Sequence, residues 1–296
     1  MKLPNTSTVS QDIALLAQTL QKADYVLIGA GAGLSAAAGI SFADEALFKK
    51  RFPYWAARGR HSEYHMFSFR DWTETQQWAY MADHISRVRY ELPPLPLYAD
   101  LKVLLEENLQ HKNYMILTSN VDRQFARNNF PPERVFEYQG NYDNLCCSQL
   151  CTKQIWPFQP VMEQMMAHTN LETASIPQEL IPHCPNCGAP LRLAFRDYPS
   201  YETDKANYQN WLEQSKQGLL CIVEIGVGFN SPGVIRVPFE RITQERNNVR
   251  FFRITVDYPD SEEEIAYPEI PQPIVQKSCS INADAAYVIQ ELLKQC

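Results

Sequence analysis

A run of alternating glycines constrains this chain more than any other feature. Gly29-Ala-Gly31-Ala-Gly33-Leu-Ser35 follows directly on the apolar stretch Tyr25-Val-Leu-Ile28. A short apolar run ending at glycine suits a strand buried on both faces of a parallel sheet, and residues 34–38 read as the opening of a helix. Glycines let backbone amides approach a phosphate closely, and a helix N-terminus adds a partial positive charge. Three alternating glycines exceed the needs of a simple turn, although a tight strand-to-helix turn without a ligand fits the same letters. The dinucleotide fingerprint G-x-G-x-x-G would need glycine at position 34, where this chain has Leu34, so the ordinary dehydrogenase pattern is broken.

The same grammar recurs downstream. Residues 10–23 read as an amphipathic helix through Ile13, Leu16, Ala17 and Leu20, with Ser10 placed to cap it. Tyr114-Met-Ile-Leu117 follows a helix-like segment over 97–109, the strand-like run 219–225 leads into Gly226, and Phe251–Val256 precedes a helical C-terminus from Ala283. Alternating helix and strand predict an α/β fold with a doubly wound parallel sheet. Two stretches interrupt the alternation. Residues 44–94 are rich in aromatic and charged residues and read as a helical insertion over the ligand edge of the sheet, and residues 141–215 read as a compact loop-rich module.

That module holds five of the eight cysteines, four of them in two close pairs, Cys147-x-x-x-Cys151 and Cys184-x-x-Cys187-Gly. Four thiolates so arranged can surround Zn²⁺ tetrahedrally at ~2.3 Å, leaving no open position for catalysis. Cys146 competes with Cys147 for the fourth place, and a disulfide framework is the rival reading. The first 24 residues lack the ~7–15-residue apolar block of a secretory signal, which predicts a cytoplasmic location where thiols stay reduced. The uncharged run 25–43 carries four glycines and two serines, too little apolar area for a membrane span. With 27 basic against 34 acidic side chains the net charge is −7, which argues against nucleic acid as a partner.

Five motifs in their order, Gly29–Ile40, Thr118-Ser-Asn-Val-Asp122, Tyr138-Gln-Gly140, the paired cysteines and Gly226-Val-Gly-Phe-Asn230, resemble the sirtuins. The resemblance implies a Rossmann-like NAD-binding domain (1–43, 95–140 and 216–296). It also implies a small domain made of the helical insertion 44–94 and a zinc-binding module, 141–215. It implies NAD as co-substrate, cleaved at the nicotinamide ribosyl bond, and a structural Zn²⁺ on Cys147, Cys151, Cys184 and Cys187. By the family pattern Asn120 orders the ribose and the reacting face, Asp122 holds the nicotinamide carboxamide, and Gln139 positions the ribose. Ser35 and the amides of Ala30 and Gly31 face the pyrophosphate, Asn230 and Asp284 lie towards the adenosine end, and Gly29, Gly33, Phe42, Gly226 and Gly228 belong to the same cofactor site. Each polar residue has a plainer role available: Asn120 and Asp122 as turn caps, Gln139 as a solvated side chain. Arg192 is expected either as a partner for an acidic acceptor or phosphate, or as a surface ion pair.

The departures carry the functional expectation. Sirtuin deacylases usually read Gly-Ile-Pro-Asp-Phe-Arg where this chain has Gly39-Ile40-Ser41-Phe42-Ala43-Asp44, and the histidine expected before Gly140 is Gln139. Those changes are similar to the macrodomain-linked, class M sirtuins, which implies ADP-ribosyl transfer to a lipoylated carrier similar to the glycine-cleavage H protein, with a macrodomain hydrolase as a further partner. Glutamine neither takes nor gives a proton near neutral pH, whereas histidine does. A residual deacylase or delipoylase and a silent NAD-binding scaffold are the alternatives. A histidine reaching in from the insertion would restore the base, and His61, His65 and His84 lie there.

Overall fold

The computed structural model describes residues 6–110, 113–197, 200–228, 232–256 and 269–296. Two compact units emerge: Met1–Gly39 with Pro94–Gln139 and Glu202–Cys296, and Ile40–Pro93 with Gly140–Tyr201. Among the described residues the strands are β1 (Tyr25–Ala30), β2 (Asn113–Thr118), β3 (Val135–Glu137), β4 (Asn144–Cys147), β5 (Ile155–Pro157), β6 (Leu191–Leu193), β7 (Leu220–Ile225), β8 (Val249–Thr255) and β9 (Ser278–Asn282).

The first unit is built on a six-stranded sheet in the order β3-β2-β1-β7-β8-β9, parallel throughout. Its apolar runs behave as a doubly wound sheet requires: β7 is buried over its whole length and β1 from Val26 onward. The chain runs outward from β1 to β2 and β3, then returns to place β7 on the other side of β1. That reversal sets the carboxyl ends of β1 and β7 side by side, where ligands bind in open α/β sheets. The first helix spans Thr6–Lys22 and buries Ile13, Leu16, Ala17 and Leu20. Ser10, expected as its cap, therefore lies inside it. Residues 6–9 hold neither glycine nor proline, so the helix begins a turn earlier.

The second unit carries an antiparallel sheet, β5-β4-β6. Short helices at Glu45–Arg51, Pro53–Ala56 and Glu63–Phe67 precede the longer Glu74–Ile85. Their apolar sides meet in an aromatic core of Phe48, Phe52, Trp55, Met66 and Tyr80. Helix starts are fixed locally: the Asp44 carboxylate accepts from Leu47 N at 2.9 Å, and Thr73 and Gln76 form a reciprocal capping box. Residues 141–215, expected as loop-rich, also hold helices at Gln159–Ala167 and, lying in the first unit from Glu202 on, Tyr201–Gln214. The second of these hides its aromatic stripe in a polar sequence. Tyr208 stacks on Phe136 and Trp211 meets Tyr25 edge-on.

Candidate active site

Two turns meet backbone to backbone at the sheet's reversal. Gly31 N donates to Ile225 O at 3.0 Å, and Gly33 N donates to Gly226 O at 2.8 Å. Gly226 takes a left-handed φ of +60°, and a Cβ on it would lie 2.4 Å from the Gly33 carbonyl carbon. A Cβ on Gly31 would lie 2.5 Å from Gly226 O. Gly29 serves a different contact, since a side chain there would strike the Phe239 ring at 2.3 Å. Each glycine thus answers a packing demand, and the N–H groups of Gly31, Gly33 and Gly226 are already given to backbone carbonyls, so the expected approach of the Gly31 amide to a phosphate is not what this loop shows. The helix that follows is only Ala32–Ala37.

Behind this loop sits a buried polar cluster. The Ser35 hydroxyl donates to Asp122 Oδ2 at 2.6 Å and lies 2.8 Å from the Tyr98 hydroxyl. Asn120 Nδ2 approaches Gly31 O at 3.1 Å, Ser35 Oγ at 3.0 Å and Tyr98 OH at 3.3 Å. Relative exposure is 1% for Ser35, 0% for Tyr98, 8% for Asn120 and 4% for Asp122. Thr118 shapes the turn, donating to Ala30 O at 2.9 Å and accepting from Asn120 N at 3.0 Å. Burial, reinforced by the Asp122 charge, pushes the Tyr98 phenol well above its ordinary range. The residue after Asp122, Arg123, is held in the left-handed region at φ 62° and pairs with Glu137 at 2.9 Å. Backbone strain of this kind persists only where surrounding contacts impose it.

The structure brings Asn120, Asp122 and Ser35 together, and Tyr98 joins them without having been expected. Ser35 points into the cluster and is not open on the loop rim. Asp122 also accepts from Gln124 N at 3.0 Å, so the turn-capping role is present alongside the contact with Ser35. Gln139 lies in the turn after β3, half-buried, and its amide has no hydrogen-bond partner among the described residues. Asp284 caps the last helix, Ala285–Gln295, accepting from Ala286 N at 2.9 Å and Tyr287 N at 3.3 Å. Asn230 lies outside the described residues, as does His111.

In the second unit, Phe42 packs edge-on against Tyr64 and Phe67 and contacts His84. His84 is fully buried, with one ring nitrogen on the Glu63 carboxylate and the other 3.4 Å from Tyr142 OH. Arg87 holds the second Glu63 oxygen. Arg192, on β6, pairs with Asp197 at 2.6 Å, and its side chain is 40% exposed. Gly140 is at φ +75°, and a Cβ there would sit 2.0 Å from Phe195 O, so only glycine fits after Gln139.

The four cysteine sulfurs, from Cys147, Cys151, Cys184 and Cys187, lie within 4.8 Å of one another. Cys147 and Cys187 approach to 3.5 Å, and Cys151 and Cys184 to 3.6 Å. A disulfide needs ~2.05 Å, whereas tetrahedral zinc with ~2.3 Å bonds separates its sulfurs by roughly 3.8 Å. The donor set fits a structural zinc ion, and all eight cysteines are free thiols. Backbone N–H groups of Cys151 and Gln149 aimed at its sulfur pull the Cys147 thiol down to about 6, favouring the thiolate that a metal takes. Cys146 stands outside the cluster, paired in register with Ile155 and Arg192. Sheet alternation sends neighbouring side chains to opposite faces.

This arrangement of sheet, glycine turns and four-cysteine module is the Sir2 fold. A Sir2 homologue solved in complex with NAD superposes with a TM-score of 0.55 over 95% of this chain and 92% of that one, at 15% identity. No family model matches the chain. In sequence it is similar to a probable bifunctional ADP-ribose hydrolase/ADP-ribosyltransferase of Fusarium oxysporum f. sp. cubense, 32% identical over 264 residues. That match covers 85% of this chain and 43% of the fungal protein, so the chain spans less than half the length of that relative. A protein ADP-ribosyltransferase of Staphylococcus aureus is 27% identical over 288 residues, covering 95% of this chain and 86% of the bacterial one. No helix among the described residues is long and apolar enough to cross a membrane.

Proposed function

We propose that the protein is an NAD-dependent protein ADP-ribosyltransferase that releases nicotinamide. The observation that carries this reading is chemical. The unit that places Asn120, Asp122 and Gln139 contains no histidine among its described residues. Its turn at Tyr138-Gln139-Gly140 presents an amide where a deacylase would need a base. Asn120 orders the ribose and Asp122 the nicotinamide end, Gln139 hydrogen-bonds a ribose hydroxyl, and the turns at Gly29–Gly33 and Gly226–Gly228 take the pyrophosphate and adenosine. The roles of Asn230, Asp284, Phe42 and Arg192 in NAD or acceptor binding belong to the same proposal.

Deacylation requires removal of a ribose proton after acyl attack, and a positioned base contributes ~10²–10⁴ in rate, or ~3–5.5 kcal/mol. Transfer to a carboxylate acceptor needs no such step, because that acceptor is already ionised at neutral pH. The names of the fungal and bacterial relatives support the same chemistry. The acceptor we propose is a lipoylated carrier similar to the glycine-cleavage H protein, met in the cytoplasm, with a macrodomain hydrolase removing the product. Labelled NAD with lipoylated and unmodified carrier tests the reading. Transfer to the lipoylated form is expected, and Gln139→His should raise acyl-lysine turnover at least about tenfold. Transfer to neither carrier, beside rapid acyl-lysine turnover by the parent, would overturn it.

A further inference from the structure

Tyr98 is a buried phenol whose hydroxyl touches two of the residues assigned to the NAD site, and the hydrogen positions in that cluster are determined by counting. Ser35 has one hydroxyl proton, and it goes to the Asp122 carboxylate at 2.6 Å. Ser35 Oγ can then only accept, so the 2.8 Å contact with Tyr98 has the phenol as donor. Asn120 brings its two amide protons to an array whose members, Gly31 O, Ser35 Oγ and Tyr98 OH, all accept. That fixes which end of the Asn120 amide faces inward, and its carbonyl oxygen is left as the outward acceptor. We infer that Tyr98 is a positioning residue: its hydroxyl closes a one-way chain from phenol to serine to aspartate and thereby holds Asn120 with its carbonyl oxygen presented to the substrate. The inference rests on the assignment of Asn120 to the NAD site.

The ring and the hydroxyl have separable duties. Tyr98 packs edge-on against Phe125 at 4.9 Å between centroids, and a phenylalanine keeps that contact. Removing only the hydroxyl leaves Ser35 Oγ without one of its donors and Asn120 without one of its acceptors. Misplacing a substrate-orienting group costs turnover more than ground-state affinity.

The test is Tyr98→Phe, examined by nicotinamide release, by thermal unfolding and by solvent exchange of the Asn120 side-chain amide protons in ¹⁵N-labelled protein. These resonances are assigned by their loss in Asn120→Ala. Expected results are a melting temperature close to the parent's, kcat reduced at least about tenfold with KM for NAD changed less than about threefold, and faster exchange at the Asn120 amide. Adding Ser35→Ala to Tyr98→Phe should cost little more than the worse single change, because both act through one array. Unaltered exchange at Asn120, or kcat and KM both degrading in step with a lowered melting temperature, would overturn the inference. A parent that releases no nicotinamide with any carrier would overturn the transferase reading instead, and the exchange measurement would still decide the role of Tyr98.

Discussion

A Gly33→Ala substitution adds one carbon where two backbones touch, so its consequence can be worked from distances. The new Cβ would lie 2.6 Å from the Cα of Gly226 and 2.9 Å from its carbonyl oxygen. Non-bonded carbons rest at ~3.5–4.0 Å, so the turns after β1 and β7 must part by about 1 Å. The 2.8 Å bond from Gly33 N to Gly226 O then stretches past the range of a hydrogen bond. Losing that bond costs ~0.5–1.5 kcal/mol and overpacking a tight contact ~1–3 kcal/mol, giving a destabilisation of about 1.5–4.5 kcal/mol. For a unit of this size that is a fall in melting temperature of roughly 3–18 °C. The displaced loop should also weaken NAD binding at least about tenfold, equivalent to ~1.4 kcal/mol. Thermal unfolding followed by circular dichroism reads the first quantity and calorimetric titration with NAD the second. A variant melting within about 1 °C of the parent and binding NAD equally well would refute the interlocked-turn account.

Three further outcomes follow from contacts elsewhere. Purified protein should carry about one zinc per chain, and Cys184→Ser or a strong chelator should remove it and lower the unfolding temperature; metal content below about half an equivalent in the parent counts against the site. Arg253→Met leaves the buried Glu224, among the described residues, with Arg236 at 3.3 Å as its cationic partner, and urea unfolding should show a loss of ~3–5 kcal/mol, a loss under ~1 kcal/mol contradicting it. Arg51 donates to both Glu91 oxygens at 2.9 Å, and this pairing holds the carboxyl below its ordinary value of 4.5. A depressed folded pKa gives stability that is present above the unfolded value and lost as pH falls from there through the lower folded value. Glu91→Gln should therefore melt below the parent near neutral pH, and the gap should begin to close near 4.5 and vanish only as the pH falls below the depressed folded value; a gap that stays constant with pH defeats the argument.

The central strands and the longer helices were readable because burial writes itself into the sequence. The run at 25–28 became β1, and the runs at 114–117, 219–225 and 251–256 lie on β2, β7 and β8. The edge strands were not readable. β3 has three residues, Val-Phe-Glu, and β9 is Ser-Cys-Ser-Ile-Asn with only Ile281 buried. An edge strand with one covered face offers neither a long apolar run nor a strict alternation. At the site, Asn120, Asp122 and Ser35 were found through their motifs. Tyr98 was missed because it follows Pro96 and Leu97 in a helix whose apolar side it shares with Leu101. There it reads as an ordinary core aromatic. The available signal was its hydroxyl, since a buried tyrosine must find a polar partner. The clash partners of Gly31 and Gly33 lie almost two hundred residues along the chain at Gly226, and no local pattern carries that information.

The arginines paired with a buried carboxylate of the sheet reach further than stability. Arg236 is buried beside Glu224 and donates to the carbonyl of Val227 at 2.6 Å. A trans peptide is rigid, with its N–H opposed to its C=O, so drawing the Val227 oxygen toward the guanidinium turns the amide proton of Gly228 the opposite way. One carboxylate sunk in a strand thereby orients, through one arginine, the dipole of a peptide several residues downstream. Charge planted in the interior acts here as a compass needle for the rim.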